Sequence, residues 1–248
     1  MEKLQLSIVF PAFNEEERIL NSLSITRTYC AANFVDYEVI VVDDGSNDNT
    51  AKIVTELARQ WPNLRLVKLP QNRGKGAATR EGILAAKLPW ILCSDVDLST
   101  PIQDIEKLLS ATHQAPVVIG SRSIEGAHIA RRQPWYRVLM GRVFNIFVRL
   151  NGVPGYLDTQ CGFKLYRRDA ARAIFEKTTL DGFAFDVEAL LLAHKLGLRV
   201  IEVPVVWIND ERSKVRVFSD PPKMFLDVFK ARFRHRKLRP TSLETTGR

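Results

Sequence analysis

Leu88-Pro89-Trp90-Ile91-Leu92-Cys93-Ser94-Asp95-Val96-Asp97 is the stretch that decides the fold of this chain. An apolar run from Leu88 to Cys93 reads as a buried strand. Two carboxylates one residue apart close it, and Ser99-Thr100-Pro101 follows. In open α/β sheets, ligands bind in the crevice beyond the C-terminal ends of the strands. Residues i and i+2 of an extended segment point to one face, so Asp95 and Asp97 can reach one hard cation. Mg²⁺ or Mn²⁺ favours such oxygen ligands, with substrate phosphates completing the shell. Taken alone, the same residues equally describe a strand-end turn ahead of a helix N-cap.

The neighbouring motifs break that tie. Val39-Ile40-Val41-Val42-Asp43-Asp44-Gly45-Ser46 is a second β-branched run that ends in two acids and a turn glycine, as a buried parallel strand does. Leu6-Ser7-Ile8-Val9-Phe10-Pro11-Ala12-Phe13-Asn14-Glu15-Glu16 is a third, running into a helix start. Three strands deliver acidic or polar tips to one sheet edge. A purely structural protein has little use for carboxylates gathered there.

Strand and helix alternate through the first half. Strand 6–10 precedes a helix of about 15–30 with Asn14 as cap, and strand 38–42 precedes one of about 48–60 with Ser46 or Asn47 as cap. Leu64 to Leu69 leads to a helix from about Gly76. Strand 90–93 precedes a helix starting at Thr100-Pro101, and Val117 to Gly120 is a further strand. The rhythm predicts an α/β fold with a single doubly wound, mostly parallel sheet flanked by helices. Beyond it, Trp135 to Leu150 reads as a helix apolar nearly all round. Such a helix is deeply buried or faces lipid or a second copy of the chain in a homodimer. Helices near 169–177 and 185–196 and a strand from Val200 to Val206 follow. Phe225 to Lys237 reads as a basic amphipathic helix and 240–248 as a disordered tail.

The 248 residues carry a net charge of +8, placed unevenly: Arg212 to Arg239 holds ten Lys or Arg against Asp220 and Asp227. A basic chain suits nucleic acid, an anionic membrane or a phosphorylated substrate; no motif for DNA or RNA is present, so nucleic acid is set aside. Cys30, Cys93 and Cys161 are odd in number and lack metal-ligand spacing, which points to buried thiols in a reducing compartment. No signal peptide is read at the N-terminus, and no apolar run is long enough to span a bilayer. Gly74-Lys75-Gly76 fails as a phosphate loop, because Leu69 and Gly76 stand where Gly and Ser or Thr are required. Pro11-Ala12-Phe13-Asn14 likewise replaces the glycine fingerprint of a dinucleotide fold.

Taken in order, Pro11-Ala12-Phe13-Asn14-Glu15-Glu16, Val42-Asp43-Asp44-Gly45-Ser46, Asn72-Arg73-Gly74-Lys75-Gly76 and Asp95-Val96-Asp97 resemble an inverting family 2 glycosyltransferase of the GT-A fold. Asp158-Thr159-Gln160-Cys161-Gly162-Phe163-Lys164, Phe185-Asp186-Val187-Glu188 and Ser213-Lys214 narrow the resemblance to the polyprenyl-phosphate sugar transferases, closer to the dolichyl-phosphate glucosyl branch than to the mannosyl one. It covers roughly residues 4 to 220. It implies a GT-A domain over 1–220, with a nucleotide-binding half of about 1–122 and an acceptor half of about 123–220, followed by a basic helix over 221–239.

The resemblance also implies roles. Asp97 is the direct metal ligand, for Mg²⁺ or Mn²⁺; Asp95 serves the ribose and reaches the metal through water; Val96 gives backbone contacts. Pro11, Phe13 and Glu15 line the base and ribose pocket, with Phe13 stacking where many relatives carry tyrosine. Asp44, with Asp43 as the second choice, accepts the imide hydrogen of uracil, a bond guanine also offers. Lys75 and Arg122 stand near the nucleotide sugar, and Lys214 clamps the donor diphosphate. Arg131, Arg132 and Arg212 suit an acceptor phosphate; a solvated turn is the plain alternative for the first two. Asp158 is the first choice for a carboxylate at the reacting centre, with Gln160 on the sugar. Asp186 is its rival should the acceptor be a hydroxyl that needs a base, and a helix cap is its structural alternative. The expected partners are a nucleotide diphosphate sugar (UDP-glucose ahead of GDP-mannose), a polyprenyl phosphate and a membrane surface. The expected location is the cytoplasm, peripheral to the membrane. A saccharide acceptor on the same fold and a non-enzymatic basic scaffold at a membrane are the competing readings.

Overall fold

A computed structural model of the chain describes residues 5–131, 135–153, 155–208 and 220–238. Seven strands form the central sheet: β1 (Leu6–Ala12), β2 (Tyr37–Asp43), β3 (Leu64–Lys68), β4 (Trp90–Cys93), β5 (Val117–Ser121), β7 (Lys164–Arg167) and β8 (Val200–Pro204), in the order β3-β2-β1-β4-β7-β5-β8. Every pair is parallel except those made by β7. β6 (His128–Arg131) and β9 (Val206–Ile208) pair in a separate two-stranded ribbon.

Alternation along each strand sorts side chains into two cores. Ile8, Phe10, Val39 and Val41 face α1 (Ile19–Asn33), α2 (Thr50–Ala58) and α4 (Ile105–Ser110). Val9, Ile40 and Val42 face α3 (Lys75–Ala85), α6 (Arg168–Phe175) and α7 (Phe185–Lys195). Both faces are covered, which is why the strands read as unbroken apolar runs. The switch in strand order falls at β1, whose neighbours β2 and β4 are reached by crossovers running opposite ways. A crevice therefore opens beyond the C-terminal ends of β1 and β4, where Pro11–Phe13 and Asp95–Asp97 sit.

The antiparallel β7 matters most for the site. Its register sets Lys164 opposite Cys93 and Leu165 opposite Leu92. The segment entering β7, Asp158 to Phe163, is thereby delivered to the same sheet edge as Asp95. The strand β7 and the β6–β9 ribbon are additions to the sequence reading, and the expected strand 200–206 is broken. Pro204 ends β8, Asp104 takes the N–H of Val206 (2.5 Å), and the chain leaves to join the ribbon.

Helix starts differ in instructive ways. α1 begins at Ile19 and Asn14 does not cap it. Asn14 instead holds a left-handed φ of 52°, which Asn tolerates, and its Oδ1 accepts the N–H of Asn47 (2.9 Å). Its own N–H donates to Ser46 Oγ (2.9 Å), so Asn14 ties the tips of β1 and β2 together. α2 starts at Thr50, where Asp48 rather than Ser46 or Asn47 accepts the first amide (2.9 Å). Pro101 precedes a single 3₁₀ turn, Ile102–Asp104, before α4.

The second half packs α5 (Trp135–Leu150) against α8 (Asp220–Arg234). Phe225 meets Phe144 and Phe147 edge-on at 5.2 and 4.7 Å, and Phe229 meets Phe147 at 5.0 Å. α5 is only half buried: Phe144 and Val148 are in the core, while Val143, Ile146 and Leu150 are exposed. The sequence placed α8 at Phe225 to Lys237; it starts and ends earlier, and 239–248 lie outside the described residues.

Gly82 in α3 yields the first prediction. A Cβ there would lie 2.3 Å from Val9 Cγ1 and 2.8 Å from Val42 Cγ2. Helix propensity favours alanine by about 1 kcal/mol, but overpacking a rigid core costs about 1–3 kcal/mol. Gly82→Ala should therefore destabilise the protein, read as a lower midpoint in urea; a raised midpoint would show that the sheet yields there.

Candidate active site

At the crevice lies an open cleft of about 950 Å³ whose walls include Phe13, Asp44, Arg73, Asp95, Asp97 and the 179–183 loop. Pro11, Glu15, Lys75 and Val96 also line it. Eight of the expected residues are thus brought into one space: Pro11, Phe13, Glu15, Asp44, Lys75, Asp95, Val96 and Asp97 line the cleft, while Asp43, next to Asp44 in the chain, is fully buried.

Each acid in or beside the cleft has a fixed environment. Asp44 accepts the backbone N–H groups of Arg73 (2.8 Å) and Gly74 (2.7 Å). Burial raises its pKa and those amides oppose the rise. A carboxylate has about four acceptor positions, so Asp44 keeps capacity for a ligand donor. Asp43 accepts the N–H of Ser46 through Oδ1 (3.2 Å), while its Oδ2 is a buried acceptor without a protein partner. Gly45 makes this turn possible: its φ is +68°, and a Cβ would strike the backbone of Gln71 at 2.5 Å.

Asp95 is paired with Lys75, Nζ to Oδ1 at 2.6 Å. Burial would raise its pKa, but the charge and hydrogen bond of Lys75 together with the charges of Lys164 and Arg122 outweigh it, and the carboxyl is held below its ordinary value. Asp97 moves the other way, raised by burial and then by the negative charge of Asp95. Its Oδ1 accepts the N–H of Ser99 (2.9 Å), and Arg18 stands 4.0 Å from its Oδ2. Arg18 also ion-pairs with Glu15 and lines the cleft; the sequence reading did not name it. Gly162 packs directly under Asp95, where a Cβ would fall 2.3 Å from Oδ2.

Two further acids form clusters beside the cleft. Asp158, almost wholly buried, accepts the backbone N–H (3.0 Å), Nε (2.6 Å) and Nη2 (2.9 Å) of Arg122 and the N–H of Gln160 (3.2 Å). Burial opposes ionisation here, yet Arg122 lowers the pKa to about 2. Glu202 takes the amides of Leu157 and Asp158 (both 2.9 Å) and sets the loop. Trp207 lies against Arg122, 5.3 Å from guanidinium carbon to ring centroid. Arg122, Asp158 and Gln160 are not among the cleft-lining residues. Asp186 pairs with buried Lys164 at 2.5 Å. It does not cap α7, which starts at Phe185 without a side-chain cap. Burial raises the pKa of Asp186 and Lys164 moderates the rise. Asp186 and Lys164 line a small void that also touches Asp95 and Cys93. Lys164 was quoted in the sequence motif but given no role.

Lys214, Arg212 and Arg132 lie outside the described residues, and of Arg131 only the backbone, in β6, is described. From α8, by contrast, Lys223, Met224, Asp227, Lys230 and Arg234 reach the cleft wall. Sequence reasoning assigned that helix to the membrane and missed this second face; the 4-3-4 spacing of 223, 227, 230 and 234 carried the signal.

The donor set fits a divalent cation. Asp95 and Asp97 supply hard oxygens, and burial with mutual repulsion leaves Asp97 short of positive charge. Among the described residues no group of three or more His, Cys, Asp or Glu gathers as a closed metal site. Two carboxylates and open positions suit an ion that shares its shell with substrate phosphates.

This is the architecture of GT-A glycosyltransferases, and comparison with known proteins places the chain within them. The profile of glycosyl transferase family 2 matches residues 7–175. The dolichyl-phosphate β-glucosyltransferase of Dictyostelium discoideum is 38% identical, with 95% of this chain and 76% of that protein covered. Its counterpart from Homo sapiens is 35% identical over 93% and 76%. Among solved structures, glucosyl-3-phosphoglycerate synthase from Mycobacterium tuberculosis, in complex with Mn²⁺, UDP-glucose and phosphoglyceric acid, superposes with a TM-score of 0.68 at 19% identity, covering 96% of this chain and 81% of that one. Mannosyl-3-phosphoglycerate synthase from Rubrobacter xylanophilus gives 0.68 at 17% identity, over 99% and 79%. The chain belongs to glycosyl transferase family 2 and is a glycosyltransferase.

The Arg122–Asp158 pair gives a prediction with a defined pH window. A carboxyl whose folded pKa is depressed stabilises the fold above its unfolded value, near 3.9, and loses that contribution as pH falls toward about 2. Arg122→Ala should cost about 2–3 kcal/mol at neutral pH. Urea unfolding of variant and wild type should converge as pH drops from about 4 to 2. A gap independent of pH would assign the loss to packing on Trp207 instead.

Proposed function

We propose that this chain transfers glucose, with inversion, from UDP-glucose to a dolichyl or other polyprenyl phosphate at the cytoplasmic face of a membrane. The carrying observation is that one cleft joins Phe13 and Asp44 to Asp95 and Asp97 and continues to a cationic wall from α8. The dolichyl-phosphate β-glucosyltransferases among its relatives support the choice of sugar and acceptor.

In this reading Phe13 stacks on the uracil, with Pro11 and Glu15 beside it, and Asp44, backed by Asp43, accepts the imide hydrogen. Asp95 holds the ribose and Asp97 the Mg²⁺ or Mn²⁺ ion, which when bound neutralises charge building on the departing diphosphate. Lys75 is poised to exchange Asp95 for a phosphate oxygen, and Lys214 completes the diphosphate clamp. Arg122, held by Asp158, orients its loop toward the sugar, with Gln160 on a hydroxyl. An acceptor phosphate oxygen attacks the anomeric carbon from the face opposite UDP. The new C–O bond forms as the old one breaks, and its electron pair leaves on the β-phosphate.

A phosphate nucleophile is already ionised and needs no general base. That fits Asp158, whose pKa of about 2 makes it a poor base, and Asp186, which is committed to Lys164. A saccharide acceptor would need one of them released. Arg131, Arg132 and Arg212 remain proposed contacts of the acceptor phosphate. The catalytic domain is taken as residues 1–220, with halves of about 1–122 and 123–220, and α8 as its membrane-facing extension.

Among the described residues no helix is long and apolar enough to cross a membrane. The exposed faces of α5 (Val143, Ile146, Leu150) and α8 (Leu226, Phe229, Phe233) suit shallow insertion beside basic side chains. The chain is expected to sediment with anionic vesicles at low salt and to be released at high salt. Phe229→Ser with Phe233→Ser should weaken that binding. Equal sedimentation of the variant would rule out the aromatic stripe as the anchor.

Asp97→Asn tests the donor side. Removing a repelled, partly desolvated charge should leave the melting temperature equal or slightly higher, while UDP stops stabilising the protein in a divalent-dependent way and glucosyl transfer is lost. Wild type should gain about 2.7 kcal/mol at a hundredfold excess of UDP over Kd in Mn²⁺. Retention of that cation-dependent gain by the variant would remove Asp97 from the metal site.

A further inference from the structure

α8 carries two functional faces, and the one turned to the cleft has no assigned role. Positions 223, 227, 230 and 234 fall within about 60° of one another on a helical wheel, and all four line the cleft that holds Asp97. They present three cations against one carboxylate, and Asp227 is itself neutralised by Lys230, Nζ to Oδ1 at 3.0 Å. The buried face of the helix, with Met224, Val228 and Ala231, points into the protein. Leu226, Phe229 and Phe233 are exposed on the side away from it. The cationic stripe therefore runs between the protein core and the apolar stripe. A ligand with a phosphate head and an isoprenoid tail has this polarity: its tail follows the apolar stripe while its head reaches the cations at the cleft mouth.

From this we infer that Lys223, Lys230 and Arg234 form the entry subsite for the acceptor phosphate, receiving it before transfer to the reacting centre. The inference rests on the acceptor class proposed above. The cations are exposed; Lys230 pairs with the Asp227 carboxylate, and among the described residues Lys223 and Arg234 meet no hydrogen-bond acceptor, so they can turn toward an incoming phosphate at little structural cost. Asp44, Asp95 and Asp97 stand beyond the tips of β2 and β4, on different elements from the α8 cations that line the same cleft.

The test uses the full chain in solution without a bilayer, so that membrane docking does not enter. Geranyl phosphate and UDP with Mn²⁺ are titrated separately into wild type, into Lys223→Ala/Lys230→Ala/Arg234→Ala, and into a control of equal charge loss, Lys52→Ala/Arg59→Ala/Arg172→Ala. The expected result is binding of geranyl phosphate weakened about tenfold or more in the α8 variant, with UDP affinity unchanged and the control like wild type. Lys230→Ala alone should show a smaller loss in the same direction, which covers the case of a triple variant that folds poorly. A UDP affinity that falls in parallel would assign the stripe to the donor diphosphate and overturn the inference. So would unchanged geranyl phosphate binding in the variants, or no binding of it to wild type. Turnover of UDP-glucose onto geranyl phosphate by wild type is measured alongside. Binding without transfer would sink the proposed reaction while leaving the subsite standing.

Discussion

Gathering carboxylates at one crevice of a buried sheet is the constraint around which this molecule is built. Asp158 and Asp186 are buried and Asp95 is partly so, and each has a cation of its own: Arg122 at 2.6 Å, Lys164 at 2.5 Å and Lys75 at 2.6 Å. Buried charges survive only when paired and hydrogen-bonded, so these pairs are a condition of the site existing at all. Asp97 departs from the pattern. Arg18 stands 4.0 Å away and burial with the neighbouring Asp95 pushes its carboxyl up. The imbalance sits at the position that faces the open cleft, where an added cation relieves it.

That arrangement dictates features far from the acids. β7 must run antiparallel for the Cys161–Lys164 segment to arrive beside β4 from the correct end, and Lys164 then reaches back to Cys161 O and across to Asp186. Residue 162 must be glycine, because Asp95 occupies the space a side chain would take. α7 is buried from Phe185 to Ala193 because it carries Asp186 and Glu188 inward. Glu188 in turn takes the amides of Thr179 and Leu180 and meets His235 at 2.7 Å. A cleft-wall loop and the residue just past the end of α8 therefore share one buried carboxylate.

The parallel half of the fold was legible because its strands are buried on both faces and end in chemistry: β1, β2 and β4 could be read from apolar runs with acidic tips, and the cleft they form holds the residues named from those tips. The second half was not, for physical reasons. β7 is four residues long, and the polar side chain that opens it, Lys164, is one a propensity argument places in a loop. The break at Pro204 depends on Asp104, a partner about a hundred residues away that no local pattern displays. Asn14 carries a helix-capping identity, yet tertiary ties to Ser46 and Asn47 hold it in a left-handed turn. Asp158 is the sharpest case. Sequence marks it as a carboxylate near the chemistry, but only the structure shows its oxygens already taken by Arg122.

The same distinction bears on how the reaction is divided between residues. An acid at pKa about 2 locked in a bidentate pair contributes geometry, since it cannot take a proton at neutral pH and its partner cannot swing away without leaving it stranded. Lys75 is in the opposite position. Its pair with Asp95 is about a quarter to a third exposed and faces the cleft, so a bound diphosphate offers it an alternative partner at small cost. The cluster beside the cleft is thus rigid, and the pair on the cleft wall is exchangeable. The proposed glycosyl transfer between two phosphates would use this combination: fixed groups to hold the sugar for in-line attack, and mobile cations that move with the negative charge as it passes from acceptor to leaving group.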